Sequence, residues 1–167
     1  MGHDMTTPVL KQLTRDDLAR LGDAARQSPR LRANQNFHPV LEDPIQRLAI
    51  AMQPRTYVRP HRHPHTFELL FPLVGRFVVL HFDAAGVVTR RTVLGEGSAI
   101  LETPAGEWHA VLSLDDGGVI FEVKHGPYTP IAPEDYTAWS PAEGTSEAEA
   151  LMDWYAIAQV GERFSAP

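Results

Sequence analysis

The chain of 167 residues contains no cysteine. A disulfide framework is therefore excluded, as is any thiolate zinc site, and the absence fits a reducing cytoplasm, the expected location. Any bound metal must take its ligands from His, Asp and Glu. No apolar run approaches the ~20 residues that a membrane-spanning helix needs, and no membrane association is expected. Met1 to Lys11 has neither the basic flank nor the apolar centre of a secretory signal; residues 1–13 are expected to form a flexible N-terminus. Basic residues are also scarce, 15 Lys and Arg against 21 Asp and Glu for a net charge of −6. The nearest approach to a basic cluster, Arg26-Gln-Ser-Pro-Arg-Leu-Arg32, is too short for a nucleic-acid footprint. Neither an internal repeat nor a low-complexity tract is present.

What the chain does have is 43% apolar residues, enough for one domain with a real core. Its pattern divides it into an N-terminal helix and extended arm (14–47), a β-rich centre (48–124), and a proline-rich arm with a C-terminal helix (125–167). Thr14 to Gln27 reads as helix: Thr14 is a good N-cap, Asp16 and Asp17 sit in the first turn, and Leu18, Leu21 and Ala25 share a face. Ser28-Pro29 ends it. From Leu48 to Lys124, short runs rich in Val, Ile, Leu and Phe alternate with turn signals such as Asp83-Ala-Ala-Gly86 and Asp115-Asp-Gly-Gly118. Among these runs are Phe77–Phe82, Val87–Leu94, Ser98–Leu101, Ala110–Leu114 and Val119–Val123. Many short strands at this spacing indicate a sandwich or barrel. Ser146-Glu-Ala-Glu149 resembles a capping box opening a second helix, on which Leu151, Trp154, Tyr155 and Ala158 form one apolar stripe. That stripe is expected to cover the barrel or a partner subunit.

The densest chemistry is Arg59-Pro-His61-Arg-His63-Pro-His65-Thr-Phe-Glu68. Residues i and i+2 of a strand share a face, so His61 and His63 can offer two imidazoles to one ion. Glu68 has the wrong parity for the same strand, but Pro64 breaks the run, and a turn at 64–66 would start a new strand with Glu68 facing inward. Downstream, Pro104-Ala-Gly106-Glu-Trp-His109 supplies a fourth candidate. Imidazole and carboxylate donors suit one divalent transition metal: Zn, Fe, Ni or Mn. His65 shares the parity of the two histidines and could replace Glu68 or lie behind the ligands; His81, inside an apolar run, reads as a core or pocket-lining residue.

These residues together resemble the cupin signature. The first motif stands here as Arg55-x5-His61-x-His63-x4-Glu68-x6-Gly75 and the second as Gly97-x6-Pro104-x-Gly106-x2-His109-x3-Ser113. Arg55 replaces the usual first glycine, one extra residue precedes Pro104, and Ser113 replaces the closing Asn. The resemblance implies a mainly β fold, a single cupin (jelly-roll) β-barrel flanked by the N-terminal and C-terminal helices. It also implies dimerisation. Four further blocks, Ser28–His38, Tyr57–His63, Phe121–Tyr128 and Trp139–Gly144, look like the WbuC family of cupin-fold metalloproteins. That resemblance implies a bacterial cytoplasmic protein connected with surface-polysaccharide biosynthesis, and no particular reaction.

The other polar residues have two readings each. Asn34, Asn36 and His38 alternate, and either line a pocket as substrate-binding groups or satisfy backbone at a barrel edge. Tyr57 and Arg59 share the parity of His61; Arg59 in a barrel mouth would bind a carboxylate or phosphate in bidentate fashion, and Tyr57 is the first candidate base. Arg62, of opposite parity, reads as surface. Glu122 and Lys124 alternate with Val119, Phe121 and Val123, which reads first as a solvated face and otherwise as an acid/base pair inside. Three functions are compatible with these residues. The first is a Lewis-acid enzyme acting on a sugar or nucleotide-sugar type substrate, with Tyr57, Glu122 or His65 as base. The others are an Fe(II)-dependent dioxygenase and a non-catalytic, metal-anchored sugar-binding module. The expected partners are a small polar ligand and a second copy of the chain.

Overall fold

The computed structural model describes residues 8–167. His3 and the first half of the expected flexible N-terminus lie outside that range. Helix α1 (Arg15–Gln27) starts where its cap predicts: the Thr14 side chain accepts from the Asp17 N–H, and Asp17 accepts from the Thr14 N–H in return. Eight strands follow, β1 (Arg32–Asn36), β2 (Ile45–Met52), β3 (Glu68–Val74), β4 (Phe77–Phe82), β5 (Val88–Leu94), β6 (Leu101–Thr103), β7 (Trp108–Ser113) and β8 (Gly118–His125). A 3₁₀ turn at Pro133–Asp135 and helix α2 (Ser146–Ile157) complete the chain.

The strands form two antiparallel sheets, in the orders β1-β2-β8-β3-β6 and β5-β4-β7. Alternation along β4 explains why all six of its residues are buried. Phe77 and Val79, with Val111 beside them on β7, face the larger sheet and meet Met52, Leu70 and Ile120, whereas Val78, Leu80 and Phe82 face outward beneath α2. Helix α2 brings Leu151, Met152 and Tyr155 to within 2% exposure, and full burial of a side chain of this size contributes about 1.5–3 kcal/mol. The apolar stripe read in the sequence is thus spent on the chain's own sheet. Its cap is Thr145, one residue ahead of the Ser146 expected, because the Thr145 hydroxyl is the group that reaches the Ala148 N–H. On the far side α1 packs Leu18, Leu21 and Ala25 against Ala49, Ala51 and Val119. The small strand residues let the helix sit close, and Arg26 pins its end with a two-pronged contact to Asp116.

Three differences from the sequence reading concern pairing. The arm before residue 45 contains an edge strand, β1, because Arg32–Asn36 pairs residue for residue with Leu48–Met52. The Ser98–Leu101 run is shifted to Leu101–Thr103, since the Ser98 and Gly97 N–H groups are used in a tight turn closing on the Val93 carbonyl. Most consequentially, the two sheets are not closed into a barrel. The stretch from 53 to 67, expected to be strand around His61, meets β7 in an isolated bridge at His109. Pro54, Pro60 and Pro64 lack the N–H donors that a continuous ladder would need.

Candidate metal centre

That irregular segment places the first two ligand candidates. The His61 N–H donates to the His109 carbonyl (3.0 Å) and the His109 N–H to the His61 carbonyl (2.9 Å), so the two rings stand side by side with centroids 4.5 Å apart. The turn before β7 then clamps the second histidine, with the Gly106 N–H donating to the His63 carbonyl at 2.9 Å. Gly106 has φ +83°, a backbone conformation that glycine adopts without strain. After Pro64 the chain turns and β3 begins at Glu68, facing inward, opposite Thr103 on one side and Lys124 on the other. The break at Pro64 therefore resolves the parity conflict between Glu68 and the histidines as the sequence suggested.

One ligand atom each from His61, His63, Glu68 and His109 lies within 4.8 Å of all the others, and the four residues are at most 9% exposed. Nδ1 of His61 donates to the Arg59 carbonyl (2.7 Å) and Nδ1 of His109 to the Glu107 carbonyl (2.9 Å). A carbonyl can only accept, so both protons sit on Nδ1 and the Nε2 lone pairs face the cluster. The Nε2 atoms of His63 and His109 lie 3.0 and 3.3 Å from the two Glu68 oxygens, yet both nitrogens are buried without an aligned hydrogen bond. Lone pairs facing a carboxylate at that range need a cation or proton between them. Two donors bound about 2.1 Å from one ion in adjacent octahedral positions would stand about 3.0 Å apart. The residues fit a divalent transition metal.

The neighbouring charges are set by burial and by one another. Burial, followed by the charge of His109, pushes His61 down to about 3, leaving its ring neutral. Burial also acts on His109, but the Glu68 carboxylate outweighs it and raises the imidazole. Burial opposes ionisation of Glu68; the hydrogen bond from Glu122 and the charge of His109 overcome it and hold Glu68 well below the usual carboxylate range. Glu122 goes the other way, raised first by burial and then by the charge of Glu68. Lys124 Nζ lies 3.5 Å from Glu122 Oε2 and stays charged, because the two carboxyls outweigh the cost of its burial.

Glu122 and Lys124 are therefore inside, reversing the first reading of their strand. β8 is a central strand with α1 over its outer face, and Ile120, Glu122 and Lys124 share the inner one. Together with the four ligand candidates they line a cavity of about 410 Å³, whose other polar walls include Tyr57, Arg59, Tyr136 and Glu143. Arg30 and Arg32 also line it and are not among the sequence-predicted site residues, although both lie in the short basic stretch and in the Ser28–His38 block. Asn34 and Asn36 do not line it. They hydrogen-bond each other at 2.7 Å on the exposed part of the edge strand β1. His38 is buried against the backbone of Arg47. His65 is exposed and outside the cluster. His81 ends the inward row Phe77, Val79, His81 and contacts the Thr103 hydroxyl at 2.8 Å.

The proline-rich arm is packed onto the site. The Arg62 N–H donates to the Asp135 carbonyl, its Nε contacts the Asp135 carboxylate at 2.9 Å, and its guanidinium lies 4.4 Å from the Trp108 ring centre. Arg62 is thus a clamp for the arm rather than a free surface charge. Arg59 is a second clamp, donating to the Ser140 hydroxyl (2.8 Å) and carbonyl (3.0 Å). The Tyr57 hydroxyl donates to the Pro141 carbonyl at 2.7 Å, and burial raises this phenol well above its usual range. A phenol so placed is a poor base.

Two antiparallel sheets, two helices and a buried His-His-Glu-His cluster define a mainly β protein whose architecture is consistent with a cupin fold and whose site could bind a metal. Residues 13–94 match a family described as a domain of unknown function, DUF6016. No curated protein matches the sequence. Similar solved structures include KdgF from Halomonas sp., 14% identical over 59% of this chain and 80% of that one, with a TM-score of 0.45. Oxalate oxidase in complex with the substrate analogue glycolate is 16% identical over 63% of this chain and 56% of its own, with a TM-score of 0.49. BH2720 from Bacillus halodurans is 15% identical over 77% and 88% of the two chains, also with a TM-score of 0.49. The chain therefore spans little more than half of the oxalate oxidase chain. Among the described residues, no helix is long and apolar enough to cross a membrane.

Proposed function

We propose that the chain is a cupin-type metalloenzyme. It holds one divalent transition metal on His61, His63, Glu68 and His109 and acts on a small polar substrate of the sugar or nucleotide-sugar type, in the cytoplasm, within surface-polysaccharide biosynthesis. One observation carries the reading: four donors converge on a point in the wall of a cavity, with two buried Nε2 atoms facing a carboxylate and no hydrogen-bond partner. When bound, the metal would supply Lewis acidity toward a carbonyl or hydroxyl oxygen of the substrate.

The chain's own residues would do the rest. Glu122 is a buried carboxyl beside Glu68, its proton affinity raised by burial, opening onto the cavity, and is the residue placed to hand over and take back a proton. Lys124 stands behind it as the counter-charge when that proton leaves. Tyr57 and Arg59 shape the wall and secure the arm that covers it. The polysaccharide context of the WbuC resemblance motivates the substrate class, and each of its four blocks contributes to the cavity: Arg30 and Arg32; Tyr57, Val58, Arg59, His61 and His63; Glu122 and Lys124; and Ala142 and Glu143.

Elemental analysis of protein purified without chelator, followed by a nucleotide-sugar and sugar-phosphate panel, tests the proposal. The expected result is one equivalent of metal and turnover of at least one compound, with Glu122→Gln keeping the metal and losing turnover. A metal-loaded protein inert to the whole panel would remove the enzymatic reading, and iron with substrate-dependent O2 uptake would replace it with oxygenase chemistry.

A further inference from the structure

The cavity has two poles, and the strand register sets their separation. Glu68 is paired with Lys124 at one end of β8, beside the metal ligands. Arg32 is paired with Met52, and Met52 with Gly118, at the other end of the same strand. Gly118 and Lys124 are six residues apart, which is about 20 Å of strand at about 3.3 Å per residue. Arg32 and the metal cluster nevertheless line one cavity, so the cavity is a trough running along the sheet. Between its poles the floor is apolar, formed by Ile50, Met52, Leu70, Val111 and Ile120.

Charge is distributed unevenly along this trough. The chain is net −6 with only 15 Lys and Arg, yet Arg30, Arg32, Arg59 and Lys124 all reach one cavity. Arg30 is neutralised at the rim by a two-pronged contact with Glu143. Arg59 is different. Its contacts among the described residues are the Ser140 hydroxyl, the Ser140 and Thr137 carbonyls and the Tyr136 ring, none of them a carboxylate. Its Nε and Nη2 donors are held by neutral acceptors of the arm, so no partner carboxylate cancels its charge beside the cavity.

We propose that the ligand of this site is an elongated organic anion: an oxygen-bearing end at the metal pole, an apolar body over the floor, and a phosphate-ester or carboxylate group toward Arg32. This rests on the metal-site reading above and narrows its substrate to molecules longer than a single sugar ring. A neutral monosaccharide would leave the Arg32 pole empty and place hydroxyls on the apolar floor.

The test uses the full chain as purified, with metal content measured on every sample. Phenyl phosphate, phenylacetate and neutral 2-phenylethanol are titrated calorimetrically into wild type, Arg32→Gln, Arg59→Gln and the double variant His61→Ala/His63→Ala. The two anions are expected to bind and the alcohol not to, with the tighter anion distinguishing a phosphate ester from a carboxylate. Loss of one charge-assisted contact in Arg32→Gln should weaken anion binding about tenfold or more at unchanged metal content. If Arg59→Gln loosens the arm, Arg32→Gln decides alone. Anion affinity equal in wild type and Arg32→Gln, or abolished only in the histidine double variant, would place the anion on the metal and overturn the proposal. Equal binding of 2-phenylethanol would overturn it as well. Absence of metal from wild type, with Arg32-dependent anion binding intact, would instead defeat the metal reading and leave the anion pole standing.

Discussion

Adding metal to chelator-treated protein should raise its thermal stability, and truncating His63 should abolish most of the gain. The donor set exists only in the fold: His61 and His63 come from an irregular segment, Glu68 from β3 and His109 from β7. An unfolded chain offers no such cluster, so binding free energy appears as folding free energy. At a free metal concentration 100 times Kd the stabilisation is about 2.7 kcal/mol. For a chain of this size each kcal/mol is worth about 2–4 °C, so the expected shift is about 5–11 °C. His63 is the most informative ligand to remove because, at 9% exposure beside the cavity, its loss opens space toward solvent rather than a hole in the core. His63→Ala leaves three donors, and its shift under the same conditions should fall to about a third or less of the wild-type value. The assay is thermal unfolding with Zn, Ni, Mn and anaerobic Fe(II) in turn, against chelator. No shift with any of the four, or an equal shift in His63→Ala, would refute the claim that these residues bind metal as a set.

Three further outcomes follow from other parts of the molecule. Leu151→Ala, at a fully buried position under α2, should cost about 3–5 kcal/mol in urea unfolding while leaving metal stoichiometry unchanged; a cost below about 1 kcal/mol would mean that α2 does not seal the outer sheet. Arg62→Ala removes both the Asp135 contact and the stacking on Trp108; with Arg62 37% exposed the loss is held to about 1 kcal/mol, and the sharper readout is faster proteolytic cleavage between residues 127 and 145. His81 is pushed down to about 4 by burial and then by the charges of His109 and Arg90. Between pH 6.5 and about 4 the unfolded chain takes up a proton that the folded chain refuses, so stability falls as pH falls through that window, by about 3 kcal/mol in all. Urea unfolding of metal-free protein across the window should show this slope reduced in His81→Gln, and an unchanged slope would count against a buried neutral His81.

Much of the framework was legible along the chain because it is local. The Thr14 cap, the α1 face, the Asp83–Gly86 turn and the extent of β4 follow from spacing and residue type alone, since helix and strand periodicities act over a few positions. The four ligand candidates were legible for the same reason: two histidines at i and i+2, a proline that resets parity, and a glycine turn before His109. Tertiary structure decided whatever depended on which faces meet. Glu122 and Lys124 look solvent-facing in an alternating run, but β8 is central, so the polar side of the strand is the one turned to the cavity. Asn34 and Asn36 share a face with Arg32 and still miss the site: on the exposed edge strand they bond each other instead. Whether the sheets close depended on one isolated bridge, His61 to His109, and three prolines kept it from growing into a ladder. The sequence by itself determined which side chains could bind a metal. Only the packing of β8, β1 and the arm determined which of the remaining charges share a cavity with that cluster, because burial and distant pairing are properties of the assembled sheets and not of any stretch of chain.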